Sequence, residues 1–440
     1  MFVNAAVAAT SQREFRTGGD AQRMSLDFLH EYVRTNYRGL YAATLALDIN
    51  DHNAARIIEG LLTTAAADRV EGRLIARRLQ RLPPQRVYRL ILQLRAKRVN
   101  NRRTRAVVRD WVAARPDLAF DAVKYRRGLA AAAGHAHLRL PDEVGAVLYD
   151  WRSVQRYRTP ILEAWRKAHY DQRAVYELPY TVAEGFAAKH GIDRQRFLAG
   201  IRAKLTARER MRLDADLGAA TLTRLASYVL SLGHDERRRR RDELTEALRQ
   251  QARRAAGAQA GTWGSVVGVL DDSYSSSGSA VKRQRPLGVA LGTHYLLEAL
   301  SPQYNSCWIN HRGDPLLVRA AGPTRLGERI LDGLAMRPDR LVIVSDGWDN
   351  APPGLAAEVL RVWRERLDRD GGTEVVHLNP VYDSETFDVR RLAPEVPTVG
   401  VRDAEDAAAL VELARFGAGT ASLGDLRAHL AARVERFLQR

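Results

Sequence analysis

The sequence Val266-Val267-Gly268-Val269-Leu270-Asp271-Asp272-Ser273-Tyr274-Ser275 is the most informative segment of the C-terminal part of the chain. Its first five residues are apolar and mostly β-branched, which predicts a buried strand. The run then ends in oxygen-bearing side chains, where a parallel strand would reach the ligand-binding carboxyl edge of its sheet. Because Asp271, Ser273 and Ser275 alternate, we expect an extended or gently curved loop to direct all three side chains towards one point.

Two later stretches supply further oxygens at matching places. Thr324 lies in a Gly-Pro-Thr-Arg-Leu-Gly sequence that begins an amphipathic helix, and Asp346 follows the apolar run 341–344, which predicts a second buried strand. A carboxylate with two hydroxyls suits Mg²⁺ or Mn²⁺ and is poor for Zn²⁺. The sequence therefore predicts a Mg²⁺ or Mn²⁺ site with the candidate ligands Asp271, Ser273, Ser275, Thr324 and Asp346.

This D-x-S-x-S sequence, followed by a threonine and then by an aspartate at a strand end, resembles the metal-ion-dependent adhesion site of the von Willebrand factor A fold. The chain has Tyr274 and Ser276 where that family usually has glycine and methionine. A Mg²⁺ held in this way keeps one position open for an acidic side chain of a partner protein or a phosphate oxygen. Under the alternative interpretation, Asp271 and Asp346 are turn or capping residues, and residues 275–279 form a flexible linker.

Charge is distributed unevenly along the 440 residues, which are enough for two or three domains. Residues 1–255 contain 48 Lys or Arg against 28 Asp or Glu, whereas residues 256–440 contain 21 against 24. A positive field of that size attracts polyanions such as RNA.

The single cysteine, Cys307, favours a reducing compartment, and no apolar run reaches membrane-spanning length. We therefore expect a cytoplasmic protein without a membrane partner.

The order of periodic segments predicts a multidomain protein. Residues 1–25 are predicted as an irregular leader, 26–254 as a basic α-helical repeat domain, 255–263 as a linker and 264–440 as a von Willebrand factor A-like domain. Helices between Pro and Gly breaks predict an N-terminal all-α array of the HEAT type, with an irregular bundle as the alternative. Alternating strands and helices predict a doubly wound C-terminal α/β domain, with the segment 314–320 as an antiparallel edge strand.

Residues 69–109 form the most basic segment, with 14 Lys or Arg and a single acid, Glu71. Arginines at every third or fourth position predict one stripe along a helix over 95–109 and a similar row one helix earlier. Because no carboxylate is interleaved, an external anion would relieve the repulsion between these charges; the alternative is a solvated face. The predicted RNA-binding residues are Arg73, Arg77, Arg95, Arg98, Arg102, Arg105 and Arg109.

Two other features of the helical half are less specific. Aromatic residues such as Tyr170 and Tyr176 accompany the basic ones, and bases stack on such rings in single-strand readers, although rings at helical spacing more often belong to the core. The arginine run 237–241 is flanked on both sides by acidic residues, which favours a solvated face over an RNA contact.

A basic helical array followed by a von Willebrand A domain resembles the Ro ribonucleoprotein (TROVE) family. In that family the helical repeats form a ring that binds small structured Y RNAs and the single-stranded ends of misfolded RNAs. The resemblance implies an RNA-binding scaffold that is not an enzyme, with residues 69–109 on its RNA surface. The competing interpretation is a protein-interaction adaptor without RNA binding, acting for example with an AAA-type ATPase or a stress system. A two-metal hydrolase would need convergence of the carboxylates of Asp271, Asp272, Asp346 and Asp349.

Overall fold

The computed structural model describes residues 1–9, 19–47, 49–64, 68–201, 217–218, 220–280, 282–408, 410–411 and 423–439. The chain divides into two compact units, one made of Met1–Asn53 with Leu217–Arg440 and the other of Ala54–Asp216. This division differs from the predicted boundary at residues 255–263, because both ends of the predicted helical domain belong to the same unit as the α/β domain.

The N-terminal residues are helical. The first four helices are α1 (Phe2–Ala8), α2 (Gly19–Asn36), α3 (Arg38–Ala43) and α4 (Asp51–Thr63). The prediction of an irregular leader over 1–25 is therefore wrong for the part of it that the structure describes. The amide of Asn50 donates to the carbonyls of Ala6, Val7 and Ala9 at 2.7–3.0 Å, and so satisfies carbonyls at the end of α1. Such a cap is invisible to local periodicity because it comes from more than 40 residues away.

The second compact unit is entirely helical in its described residues and corresponds to the predicted HEAT-like array. After α4, its helices are α5 (Arg69–Arg81), α6 (Pro84–Ala96), α7 (Arg102–Ala113), α8 (Leu118–Lys124), α9 (Arg126–Ala136), α10 (Asp142–Tyr149), α11 (Pro160–Lys167), α12 (Gln172–Val175), α13 (Tyr180–Lys189) and α14 (Arg194–Ile201). Each long helix buries one apolar stripe; in α5 the stripe contains Leu74, Ile75 and Leu79. Of the arginines of α5, Arg73 is exposed and Arg77 is half-buried, whereas Arg78 is buried beside the stripe.

The first unit continues with three helices and an α/β domain. Its remaining helices are α15 (Leu222–Ser231), α16 (His234–Arg239), α17 (Arg241–Ala256), α18 (Arg285–Leu300), α19 (Leu326–Ala335), α20 (Leu355–Val362) and α21 (Leu423–Gln439). Its strands are β1 (Ser265–Leu270), β2 (Gln303–Trp308), β3 (Arg340–Val344), β4 (Glu374–Asn379), β5 (Tyr382–Asp383), β6 (Asp388–Val389) and β7 (Thr398–Gly400). Both α15 and α17 pack against α18, which is apolar and buried almost all round, and this explains why residues before 255 join the α/β domain.

Five strands form one parallel sheet in the order β2-β1-β3-β4-β7, as the doubly wound prediction requires. The chain leaves β1 towards β2 on one side and returns to β3 on the other, so the strand order reverses between β1 and β3. In open α/β sheets, the crevice at such a reversal is where ligands bind. The short strands β5 and β6 form a separate antiparallel pair.

The predicted edge strand over 314–320 is wrong. Residues Pro315–Leu317 form a 3₁₀ turn, and the Asp314 carboxylate accepts a hydrogen bond from the Leu316 N–H at 3.0 Å. Proline has no N–H to give to a sheet ladder, and a preceding aspartate caps a turn, so this pair of residues favours the turn. The predicted helix over 404–416 begins as a 3₁₀ turn at Ala404–Asp406, and its residues 409 and 412–416 lie outside the described part of the chain.

No helix among the described residues is both long enough and apolar enough to cross a membrane.

Candidate metal centre and arginine surface

The carboxyl ends of β1 and β3 bring two aspartates to one cavity. Leu270 and Val344 are neighbours in the parallel register, and the Asp271 N–H donates to the Val344 carbonyl at 2.9 Å. Asp271 and Asp346, which follow these strand ends, are 4% and 7% exposed. Both line a cavity of about 10 Å³, roughly the volume that one water-sized sphere requires. The structure therefore brings together the two carboxylates of the predicted metal site.

The serines are held by the turn that follows β1. The Ser273 N–H donates to a carboxylate oxygen of Asp271 at 2.8 Å, and the hydroxyls of Ser273 and Ser275 lie 3.2 Å apart. Residues Tyr274–Ser277 form a 3₁₀ turn in which Ser275 is buried. This turn differs from the flexible linker that the alternative interpretation places over residues 275–279. The other part of that interpretation agrees with the contacts, because Asp271 and Asp346 each accept the N–H two residues on, from Ser273 at 2.8 Å and from Trp348 at 3.0 Å, as turn residues do. Asp271, Ser273 and Ser275 are thus linked by hydrogen bonds, in a tight turn instead of the extended or gently curved loop that the sequence predicted.

Thr324 belongs to a loop that is hydrogen-bonded to this turn. The Tyr274 N–H donates to the Gly322 carbonyl at 3.0 Å, and the Ala321 N–H donates to the Asp272 carbonyl at 2.8 Å. Thr324 is 2% exposed, and its N–H donates to the side-chain oxygen of Asn350 at 3.0 Å. Sequence reasoning missed Asn350, because its contact with Thr324 joins residues that are 26 positions apart in the chain.

The electrostatics of the cluster favour a cation. Burial, together with the neighbouring carboxylate of Asp346, raises the pKa of Asp271 to about 7. In the described part of the chain, no three His, Cys, Asp or Glu side chains come together as a metal-binding group. A cation at this cavity would therefore depend on hydroxyl oxygens as well as carboxylates, a donor set that fits Mg²⁺ or Mn²⁺ and does not fit Zn²⁺. The serines that line the cavity are Ser276 and Ser345; the predicted ligands Ser273, Ser275 and Thr324 are not among its lining residues.

The other two aspartates near the sheet edge have structural partners. The Asp272 carboxylate, 1% exposed, accepts the N–H groups of Asn310 and His311 at 2.8 Å each. The Asp349 carboxylate accepts the Ala356 N–H at 2.6 Å in the first turn of α20. Both oxygens of Asp272 and one oxygen of Asp349 thus accept from backbone N–H groups, while the second oxygen of Asp349 is buried without a hydrogen-bond partner.

Replacing Asp272 by alanine is expected to lower the free energy of unfolding by about 3 kcal/mol, since two buried N–H groups would lose a charged acceptor. Chemical denaturation followed by tryptophan fluorescence measures the loss, and Asp370→Ala, at an exposed aspartate, is the matched control. A loss below about 1 kcal/mol would contradict the structural role of Asp272.

The arginines predicted as one stripe lie on two helices and the loop between them. Helix α6 ends at Ala96 and α7 begins at Arg102, so the prediction of a single helix over 95–109 is wrong. Arg98 has a φ of 57° in the connecting loop, and Asn101 forms a capping box with Thr104 at the start of α7. The arginine spacing continued through this break, which is why periodicity alone did not reveal it.

Two of these arginines, Arg95 on α6 and Arg105 on α7, nevertheless lie near one residue of α9. Helices α6 and α7 both pack against α9, and the charges of Arg95 and Arg105 both act on the buried His135 of α9, whose pKa is lowered chiefly by burial and then by these arginines. Within the described residues, none of the seven predicted arginines forms an ion pair with a carboxylate. Other basic residues of the segment do form such pairs; Lys97, for example, pairs with Glu59 at 2.9 Å.

Five of the seven arginines are exposed, and two are half-buried. The exposed ones are Arg73, Arg95, Arg98, Arg102 and Arg109, and the half-buried ones are Arg77 and Arg105. The single acid of the segment, Glu71, is 2% exposed and pairs with Arg103 at 2.7 Å. The exposed charges of residues 69–109 are therefore positive, because the one acidic residue of the segment, Glu71, is buried.

The arginine run 237–241 is structural in large part. The Arg237 guanidinium is buried and donates to the carbonyls of Leu316 and Val318 at 3.0 and 2.9 Å. Arg240 pairs with Glu243 at 2.8 Å, and Arg241 pairs with Asp314. Arg237, Arg240 and Arg241 therefore have partners within the chain, while Arg238 and Arg239 of the run are exposed.

The chain, with its helical array and its α/β domain, has a Ro-like fold. Among solved structures, it is similar to the crystal structure of the Ro (RSR) protein of Deinococcus radiodurans, with a TM-score of 0.54 and 15% sequence identity. The similarity covers 96% of this chain and 99% of that one. No protein-family model matches the chain, and no curated protein matches it.

Proposed function

We propose that the protein is an RNA-binding scaffold whose helical unit binds small structured or misfolded RNA through the arginines of residues 69–109. The observation that carries this proposal is a set of seven arginines without carboxylate partners among the described residues, on a segment whose single acid is buried in an ion pair. Phosphate groups neutralise such a surface and release counterions, which makes binding favourable and dependent on salt. The Ro-like fold supports the same function.

Purification under nuclease-free, low-salt conditions tests this proposal. We expect defined small RNAs to remain with the protein and to dissociate steeply as the salt concentration rises. Preparations free of RNA that also fail to bind added structured RNA would contradict the proposal and favour the adaptor function described next.

A second function rests on the sheet edge. We propose that Asp271, Ser273, Ser275, Thr324 and Asp346 hold Mg²⁺ or Mn²⁺ and that the open position of the ion receives a carboxylate of a protein partner. The shared cavity of two buried carboxylates and the cluster of hydroxyls beside it support this site. A bound cation supplies Lewis acidity for ligand binding, and the protein residues fix its position. The activity proposed is binding, not catalysis, in keeping with the structural roles of Asp272 and Asp349.

Stabilisation by Mg²⁺ is expected to increase between about pH 6 and about pH 8. With a pKa of about 7, Asp271 holds a proton in the metal-free folded protein that the unfolded chain has already lost. The metal-free protein therefore loses stability as pH rises through this range. Mg²⁺ binding becomes more favourable over the same range, because the cation no longer has to displace the proton of Asp271. Thermal unfolding with and without Mg²⁺ at each pH measures the effect, and a shift that is independent of pH would contradict it.

A further inference from the structure

The two outermost strands of the five-stranded sheet, β7 and β2, have different neighbours. Helix α1 packs against β7, where the Gly400 N–H donates to the side-chain oxygen of Asn4 at 3.2 Å. The segment 314–320, which the sequence predicted as an antiparallel edge strand, forms a 3₁₀ turn at Pro315–Leu317 instead. Among the described residues, β2 therefore pairs with β1 on one side and with no strand on the other.

The unused backbone groups of β2 belong to alternate residues. The Ile309 N–H, just after β2, donates to the Leu270 carbonyl of β1 at 3.1 Å. The odd-numbered residues of β2 thus face β1, and the even-numbered residues direct their N–H and carbonyl groups outward. Within the described chain, no group is hydrogen-bonded to the backbone N–H or carbonyl of Tyr304 or Ser306. These two residues offer consecutive donors and acceptors to a further strand.

Side chains on both faces of the sheet hold β2 in place. The Tyr304 hydroxyl lies 3.0 Å from Nδ1 of His294 in α18. On the other face, Cys307 belongs to the hydrophobic core together with Leu326 and Ile330 of α19. A strand that is already fixed loses little conformational entropy when another strand pairs with it.

Strand β2 also lacks the features that usually prevent pairing at an exposed edge. Such strands commonly carry a charged side chain or a proline, and residues 303–308 contain neither. Their exposed side chains are Gln303, Asn305 and Ser306, so antiparallel self-pairing places no like charges opposite each other. Residues 256–440, with 21 basic and 24 acidic residues, have little net charge to oppose the approach of a second copy.

We propose that β2 is an interface for a second copy of this chain, in which two β2 strands pair antiparallel about a two-fold axis at Asn305. In this register, Tyr304 of each copy lies opposite Ser306 of the other, and each such pair exchanges both of its N–H···O bonds. The same surface serves both copies, as in other two-fold dimers. The two sheets would then join into one continuous sheet.

The contacts at the ends of β2 favour this register. The Trp308 carbonyl already accepts from the Arg312 guanidinium at 2.8 Å, and Pro302 has no N–H to give. Pairing about Asn305 needs neither of these groups. The exposed Asn305 amides meet at the axis, where each donates to the other. Because a single pair of strands is small beside the about 1,200–2,000 Å² of stable interfaces, we expect a dimer that dissociates on dilution.

Sedimentation of nuclease-treated, full-length protein in about 0.5 M salt tests the interface, because these conditions remove dimers bridged by RNA. We expect the wild type to change from monomer to dimer over the micromolar range. Ser306→Pro removes an outward N–H and leaves the hydrogen bonds to β1 intact. It is expected to weaken dimerisation about 30-fold, since two symmetry-related bonds are lost. Ser306→Thr, which keeps the N–H, is the matched control.

A charge at the axis gives a second test that leaves the backbone unchanged. Asn305→Lys places two like charges opposite each other and is expected to abolish the dimer. Gln250→Lys adds the same charge at an exposed position of α17 and should leave dimerisation unaffected.

Disulfide formation tests the register. In a Cys307→Ala background treated with oxidised glutathione, Asn305→Cys is expected to crosslink two copies. Residues opposite each other at the axis have Cα atoms about 4.5 Å apart, which is within disulfide range. Gln303→Cys should not crosslink, because its two copies would lie about 14 Å apart along the strands.

Each contrary outcome has a definite meaning. A wild type that stays monomeric throughout the micromolar range would overturn the inference, as would a dimer that is unaffected by both Ser306→Pro and Asn305→Lys. Crosslinking through residue 303 and not through residue 305 would overturn the register. Crosslinking of Asn305→Cys only to a different polypeptide in a cell extract would overturn self-pairing and assign β2 to a strand of another protein. None of these measurements depends on RNA binding, so the proposed function stands or falls separately.

Discussion

Replacing Arg98, Arg102 and Arg109 by glutamate is expected to weaken the binding of structured RNA on the order of 100-fold at moderate salt. All three arginines are exposed and have no carboxylate partner among the described residues, so their reversal removes phosphate contacts and adds repulsion. The fold should survive, since none of the three side chains is buried. Fluorescence anisotropy with a labelled hairpin RNA measures the affinity, and circular dichroism monitors the helical content.

A matched variant separates local contact from total charge. Arg127, Arg139 and Arg156 are also exposed in the helical unit and lie outside residues 69–109. Their replacement by glutamate changes the net charge by the same amount, so it should reduce affinity only through the long-range field. If both triple variants lose affinity equally, RNA binding follows from overall charge and the arginine surface of residues 69–109 is not a site.

Asp271→Asn is expected to remove the stabilisation of the folded protein by Mg²⁺. The asparagine keeps the shape of the side chain and an oxygen for the Ser273 N–H, while it removes one of the two charges that a cation would neutralise. A ligand present at about 100 times its dissociation constant stabilises a folded protein by about 2.7 kcal/mol. We expect the wild type to approach that gain in saturating Mg²⁺ and the variant to gain almost none.

Thermal unfolding at about pH 8, with Mg²⁺ and with chelator, measures this difference. Asp370→Asn is the control for removal of a surface carboxylate, because Asp370 is exposed and lies away from the cavity. Asp272→Ala should unfold more readily and still respond to Mg²⁺. An equal response in wild type and Asp271→Asn would refute the metal site and leave the two carboxylates as structural groups.

Patterns within a short window predicted the α/β domain and the cluster at its edge. The apolar run before Asp271 forms β1, the run before Asp346 ends at Val344 in β3, and the alternating D-x-S-x-S oxygens form one hydrogen-bonded cluster. These features follow from strand periodicity and from the ends of parallel strands, which depend on neighbouring residues. Whether a cation binds there remains a prediction that the Asp271→Asn experiment addresses.

Features that depend on distant residues were not predictable in the same way. Helix α1 depends on the amides of Asn50 and Asn53, which cap its carbonyls from outside the segment. The break between α6 and α7 had a local signal, the Asn101–Thr104 capping box, but the regular spacing of arginines outweighed it.

RNA binding by the arginines of residues 69–109 is tested most directly by the salt dependence of RNA affinity. The measurement compares the wild type with the double variant Arg102→Ala/Arg109→Ala. The logarithm of the affinity falls linearly with the logarithm of the salt concentration, with a slope set by the number of phosphate contacts. If both arginines contact phosphates, the slope of the double variant should be smaller by about 2. Parallel lines for the two proteins would contradict RNA binding by the arginine surface of residues 69–109.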